Sequence, residues 1–177
     1  SDQIGRKKIL IVVAFLYAFS AIASAYSISY ETLYIARMIG GLAFGAALIL
    51  APTYIAEISN SKNRGTLVSV QQLNIVLGFF AAFLSNYYFN DLNSSSQFFS
   101  DVTVWRWMLG VEFLPAIIYF ILLFFIPKSP RWLFNQNRAE EAKKVLIQLH
   151  GSQQSKIETE AIIKNINANK GIIKTSF

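Results

Sequence analysis

Residues 37–65, RMIGGLAFGAALILAPTYIAEISNSKNRG, decide how the rest of the chain is read. Arg37 heads the segment, and residues 38–56 carry no charge. That is about the length a helix needs to cross a hydrocarbon core of roughly 30 Å. A guanidinium at the head of such a helix is costly in lipid, so Arg37 is expected to face protein or a water-filled cavity and to have a partner. Gly41 and Gly45 lie four apart, a spacing that lets a neighbouring helix approach closely. Pro52, Tyr54, Glu57, Arg64 and Gly65 complete the stretch. The segment predicts a helix packed inside a membrane bundle.

Three more segments of spanning length flank it. The first helix is expected over about 9–29, the second over 32–56, the third over 66–89 and the fourth over 105–126, the last interrupted by Glu112 and Pro115. After Pro127 the composition turns polar. Residues 138–149 and 157–166 keep apolar positions at helical spacing, which predicts short amphipathic helices too polar to span. The expected division is a transmembrane part over 1–127 and a linker region of amphipathic helices over 128–177. The fold class is therefore an all-α membrane protein with four transmembrane helices.

Composition agrees. The chain is 54% hydrophobic and 15% charged, where a soluble domain carries about a quarter charged residues. The net charge of +6 is gathered at the ends of apolar segments, so it predicts a membrane orientation and no nucleic-acid partner. Basic residues precede the first helix, separate the second from the third and follow the fourth, which places both ends of the chain on the cytoplasmic side. With no cysteine there is no thiolate metal site, and the single histidine, His150, sits in a polar region. The helices hold no paired catalytic carboxylates and no nucleophile–histidine pair, so neither an enzyme nor a cofactor is expected.

The order of motifs resembles one family. Asp2-Gln3-Ile4-Gly5-Arg6-Lys7 is similar to the D-x-x-G-R-K loop of the major facilitator superfamily. Arg37, Gly41 and Gly45, then Pro52-x-Tyr54-x-x-Glu57 and Arg64-Gly65, resemble the fourth helix and following loop of its sugar porter family. Gln72-Leu73 with Gly78 is similar to that family's sugar-contacting fifth-helix segment. Pro127-Lys128-Ser129-Pro130-Arg131-Trp132-Leu133 resembles its P-E-S-P-R signature, with Lys128 where glutamate is usual. Trp105-Arg106 with Glu112 is similar to the bacterial sugar–proton symporters, such as xylose–proton symporters. The resemblance implies helices three to six of twelve, with helices one and two and the second half lying outside this chain.

Site residues follow from both readings. Gln72 lies on a helical stripe with Ile75, Val76, Phe79 and Phe83, where its amide must satisfy a donor and an acceptor in apolar surroundings. The alternative is interhelical glue; the resemblance implies a sugar ligand, with Phe79 as its apolar neighbour. Arg37 needs a carboxylate. The resemblance puts that partner on helix one, outside the chain. Glu112 is the only carboxylate between Trp105 and Ile126, and a buried glutamate can exchange protons near neutral pH. Arg37 and Glu112 are therefore read as residues of proton coupling, with Glu112 as a reserve or modulator; the alternative is a glutamate simply hydrogen-bonded to a neighbouring helix. Asp2, Arg6, Glu57 and Arg64 are implied to form a cytoplasmic gate. Ser129-Pro130 is cap chemistry for a helix start. Asn93-Ser94-Ser95 matches a glycosylation sequon, read as a chance occurrence.

The expected function is transport of a sugar by alternating access, coupled to protons, in the cell membrane and most readily a bacterial inner membrane. The expected partners are a small-molecule sugar, protons, the lipid bilayer and the remainder of the same chain. The alternatives are a facilitative sugar or polyol uniporter and a non-transporting membrane sugar sensor.

Overall fold

The computed structural model describes residues 5–60, 62–96 and 101–174, and among these it is helical without strands. The elements in order are α1 (Arg6–Ala25), α2 (Tyr30–Ile58), α3 (Arg64–Ser96), α4 (Asp101–Gly110), α5 (Phe113–Phe125), α6 (Pro130–Asn135) and α7 (Ala139–Lys174). Four stretches are long and apolar enough to cross a membrane: α1, α2, residues Arg64–Asn93 of α3, and Thr103–Phe125 across α4 and α5.

The boundaries differ from the sequence reading for identifiable reasons. The first helix stops at Ala25, where Ser27 Oγ donates to the Ser24 carbonyl at 2.8 Å and turns the chain. Ser29 then caps α2 in a capping box with Thr32, and Glu31 sits in the first turn, where the helix dipole favours an acid. Helix α3 runs to Ser96, beyond residue 89, the expected end of the third helix.

The fourth span is broken at Val111 and Glu112. Pro115 has no N–H for the Val111 carbonyl, which accepts instead from Leu114 N at 3.1 Å. Glu112 therefore sits at a helix break. Beyond it, α6 starts on the foreseen cap: Ser129 Oγ accepts from Trp132 N at 3.4 Å, with Pro130 in the first turn. Helix α7 bends at Gly151, whose φ of 78° and ψ of 169° are open to glycine and unfavourable for other residues. The two amphipathic helices thus lie on either side of that bend.

Helix α1 is the hub. It packs along α2 and against both α4 and α5. Leu10 and Ala14 on α1 meet Tyr54 on α2 and Leu123 on α5, with Leu50, Phe120 and Ile126 closing around them. The tight α1–α2 contact uses a different glycine from the expected pair. A Cβ on Gly40 would stand 2.3 Å from Ser20 Oγ, whereas Gly41 and Gly45 have nothing within 4 Å. One residue turns a helical position by 100°, so Gly40 faces α1 while Gly41 and Gly45 are turned away from it. Ser20 Oγ also donates to the Ala36 carbonyl at 2.6 Å, across the same contact. Helix α3 packs less closely, touching chiefly α2 and α4 among the described residues, and its most apolar window holds no buried residue.

Candidate functional site

Arg37 projects from α2 toward the break in the fourth span and meets Glu112 there. Nη1 donates to Oε2 at 2.9 Å and Nη2 to Oε1 at 3.2 Å, a two-pronged pair. The Arg37 side chain keeps 45% of its surface exposed and that of Glu112 29%, so the pair is only partly buried by the described residues. Tyr17 of α1 lies within electrostatic reach of both charges, and its ring packs near Phe44 at 6.4 Å. Glu112, read from the sequence as a reserve, is the carboxylate that Arg37 contacts directly.

A second cluster forms at the end of the bundle where α1 begins. Arg6 pairs with Glu57, and both side chains are largely shielded. Ser129 Oγ donates to the other Glu57 oxygen at 2.8 Å, so one carboxylate joins α1, α2 and the cap of α6. Tyr54 O–H donates to the Pro127 carbonyl at 2.6 Å. Lys7 Nζ donates to the carbonyls of Phe124 and Ile126 at 2.9 and 2.6 Å, satisfying groups that the end of α5 leaves free. Gly5 sits at φ 87°, and a Cβ there would be 3.0 Å from the Trp132 ring. The region read as P-E-S-P-R-like is therefore stapled to the start of α1 and the end of α2.

One expected member does not join this cluster among the described residues. Arg64 makes no ion pair among the described residues, and its Nε is buried without a hydrogen-bond partner. It opens α3, across a loop from Glu57. Asp2 lies outside the described residues.

Gln72 and Phe79 share one exposed face of α3, away from both clusters. Their neighbours Gln71 and Asn74 point elsewhere, lining a cleft of about 500 Å³ between the end of α2, the start of α3 and Leu149 of α7. At the opposite end of the bundle, Arg106 Nη2 donates to the Ser27 carbonyl at 3.1 Å and the guanidinium lies 5.2 Å from the Trp105 ring centre. Lys7, Tyr54 and Ser20 are the contributors that sequence reasoning missed. All three bond to backbone carbonyls, which carry no residue signature.

Comparison with known proteins gives this geometry a family. The model of the "Sugar (and other) transporter" family matches residues 1–176. The arabinose-proton symporter of Bacillus subtilis is 41% identical over 166 residues, 94% of this chain and 34% of the relative. The galactose-proton symporter of Escherichia coli is 37% identical over 171 residues, 96% of this chain and 35% of the relative. Among solved structures, the xylose transporter XylE from E. coli, in a partially occluded inward-open conformation, superposes with a TM-score of 0.87 at 29% identity. That match covers 99% of this chain and 45% of XylE. The chain thus spans about a third of the length of the curated relatives it matches. With one family model covering it from end to end and a helical bundle that superposes on a sugar porter, this chain belongs to the sugar (and other) transporter family.

Proposed function

We propose that the protein containing this chain carries a sugar across the cell membrane by alternating access, in symport with protons. The observation that carries the reading is the Arg37–Glu112 pair inside spanning helices, in a chain whose family model matches residues 1–176. A carboxylate held by a guanidinium has different protonation energies when the pair is made and when it is open. If the two transport conformations differ in that pair, a proton biases the equilibrium between them. Relatives named as arabinose-proton and galactose-proton symporters support the coupling.

Within this reading, residues 1–127 form part of the first transmembrane half, residues 128–177 form the intracellular linker, and both ends are cytoplasmic. Gln72 and Phe79 contact the sugar. Arg37 and Glu112 couple it to the proton. Asp2, Arg6, Glu57 and Arg64 form the inner gate, which holds while the outer side is open. Ser129 joins that gate through its bond to Glu57.

The test uses the complete transporter reconstituted in vesicles, with labelled arabinose, galactose and xylose and a pH-sensitive dye outside. Uptake accompanied by proton movement supports symport. Uptake with no proton movement replaces it with facilitative uniport. Sugar binding without uptake leaves a sensor.

A further inference from the structure

Helix α3 turns two long faces outward, and their chemistry differs. One carries Leu73, Leu77, Phe80, Leu84 and Tyr88, each more than half exposed and with no polar group until the terminal hydroxyl. The other carries Gln72, Val76, Phe79, Phe83 and Tyr87, also exposed. Their spacing of three and four puts the members of each set on one stripe. An amide turned to hydrocarbon leaves its donors and acceptor unpaired, which lipid penalises and a water-filled or protein-lined space does not. The leucine face therefore suits lipid, and the Gln72 face belongs to the interior of the complete protein.

That interior face is also unsuited to a closely packed helix. Tight helix contacts in membranes use small residues, as Ser20 and Gly40 do between α1 and α2. The Gln72 face has bulky side chains along its length, three of them aromatic: Phe79 at 55%, Phe83 at 75% and Tyr87 at 71% exposure. An aromatic face is electron-rich and attracts the slightly positive C–H face of a sugar ring, as it attracts other positive edges. Successive rings are four residues apart, about 6 Å along the axis, and the line from Gln72 to Tyr87 is about 22 Å long.

We propose that Phe83 and Tyr87 form an aromatic track for the sugar, leading from the end of α3 that precedes residues 97–100 down to Phe79 and Gln72. This rests on the reading that Gln72 binds sugar and that this end of α3 is external. A sugar ring moving along the track stacks on one aromatic before it has left the last. Tyr87, with its hydroxyl at the mouth, is the first to meet a hydrated sugar.

The test measures KM for labelled arabinose or xylose in the complete transporter, with right-side-out and inside-out vesicles. Phe83→Leu and Tyr87→Leu remove the ring and keep apolar bulk; Phe83→Trp keeps a ring; Leu84→Ala probes the lipid face. The expected result is an external KM raised about three- to tenfold in each ring-removing variant, the range of an aromatic contact. The internal KM should stay unchanged, Phe83→Trp should behave as the natural protein, and Leu84→Ala should leave KM alone. An unchanged external KM with a lowered Tm in both ring-removing variants overturns the track and assigns the face to packing against the rest of the protein. Gln72→Ala is measured in parallel. If it weakens sugar binding while Phe83→Leu does not, the track alone fails. If Gln72→Ala has no effect on affinity, the reading of Gln72 fails.

Discussion

Arg37 and Glu112, 75 positions apart in sequence, bind each other through both terminal guanidinium nitrogens and both carboxylate oxygens. The pair ties α2 to the point where the fourth span is broken, so a change in the charge of Glu112 acts at a helix break and not inside a continuous helix. The backbone donor that Pro115 lacks is what interrupts the helix at that point.

The first prediction concerns coupling. Glu112→Gln keeps the shape of the side chain and removes the charge that Arg37 holds. Accumulation of sugar against its gradient should fall at least tenfold, which corresponds to about 1.4 kcal/mol of lost coupling energy. Exchange of labelled for unlabelled sugar should survive at a reduced rate. Arg37→Leu should abolish accumulation altogether, because it removes the group that any carboxylate here would pair with. Full accumulation by Glu112→Gln would leave the pair a structural strut.

The second prediction concerns the gate. Glu57 is the point where Arg6 and Ser129 converge, so Glu57→Gln loosens three elements at once. The resting population should shift toward inward-open by about tenfold, equivalent to roughly 1.4 kcal/mol. Arg64→Ala should shift it the same way but by less, since Arg64 has no ion pair to lose here. Cysteine accessibility from the inside reads both. Equal shifts in the two variants would mean that Arg64 pairs in a conformation other than this one.

The third prediction separates the glycines. Gly40→Val drives a branched side chain into Ser20 Oγ, and overpacking of this kind costs about 1–3 kcal/mol. A lowered Tm of the solubilised protein, or loss of its insertion, is the expected outcome. At Gly41→Ala and Gly45→Ala the added Cβ has no neighbour from another element within 4 Å among the described residues. Their effect on Tm then reports whether the remainder of the transporter packs on that face. A Gly40 variant as stable as the natural protein would show that α1 and α2 can part without loss.

How much of this was legible in the sequence depends on the kind of property. Charge-free length is additive along the chain, so the four spans were visible, with ends wrong by a few residues where Ser27 and Ser29 redirect the backbone. The Glu57 cluster was partly visible because Arg6, Glu57 and Ser129 each have a charge or a cap role. The choice between Gly40 and Gly41 was not visible, because it rests on a rotation of 100° that only the position of α1 determines. The Lys7 and Tyr54 bonds were invisible for another reason. Their acceptors are carbonyls 119 and 73 positions away, and every residue has one. Direct contact of Arg37 with Glu112 needed the break before Pro115, which propensity placed in the right region without giving its direction.

The last prediction contrasts two adjacent glutamines. Gln71 is turned into the cleft between α2 and α3, and its Oε1 is buried without a partner. Gln72 is turned outward on the face shared with Phe79. A buried acceptor with no donor costs about 1–3 kcal/mol, and an apolar replacement of similar shape removes that cost. Gln71→Leu should therefore leave the Tm unchanged or raised and the sugar affinity unaltered. Gln72→Ala should leave the Tm nearly unchanged, since the side chain is exposed in this part of the molecule. It should weaken sugar binding by about 1–3 kcal/mol, because the hydroxyl it served is left unpaired. Isothermal binding and thermal melting of the same preparations give both numbers. If instead Gln71→Leu loses sugar affinity and Gln72→Ala loses stability, the two amides have exchanged roles: the cleft holds the sugar, and the outward face is a helix contact.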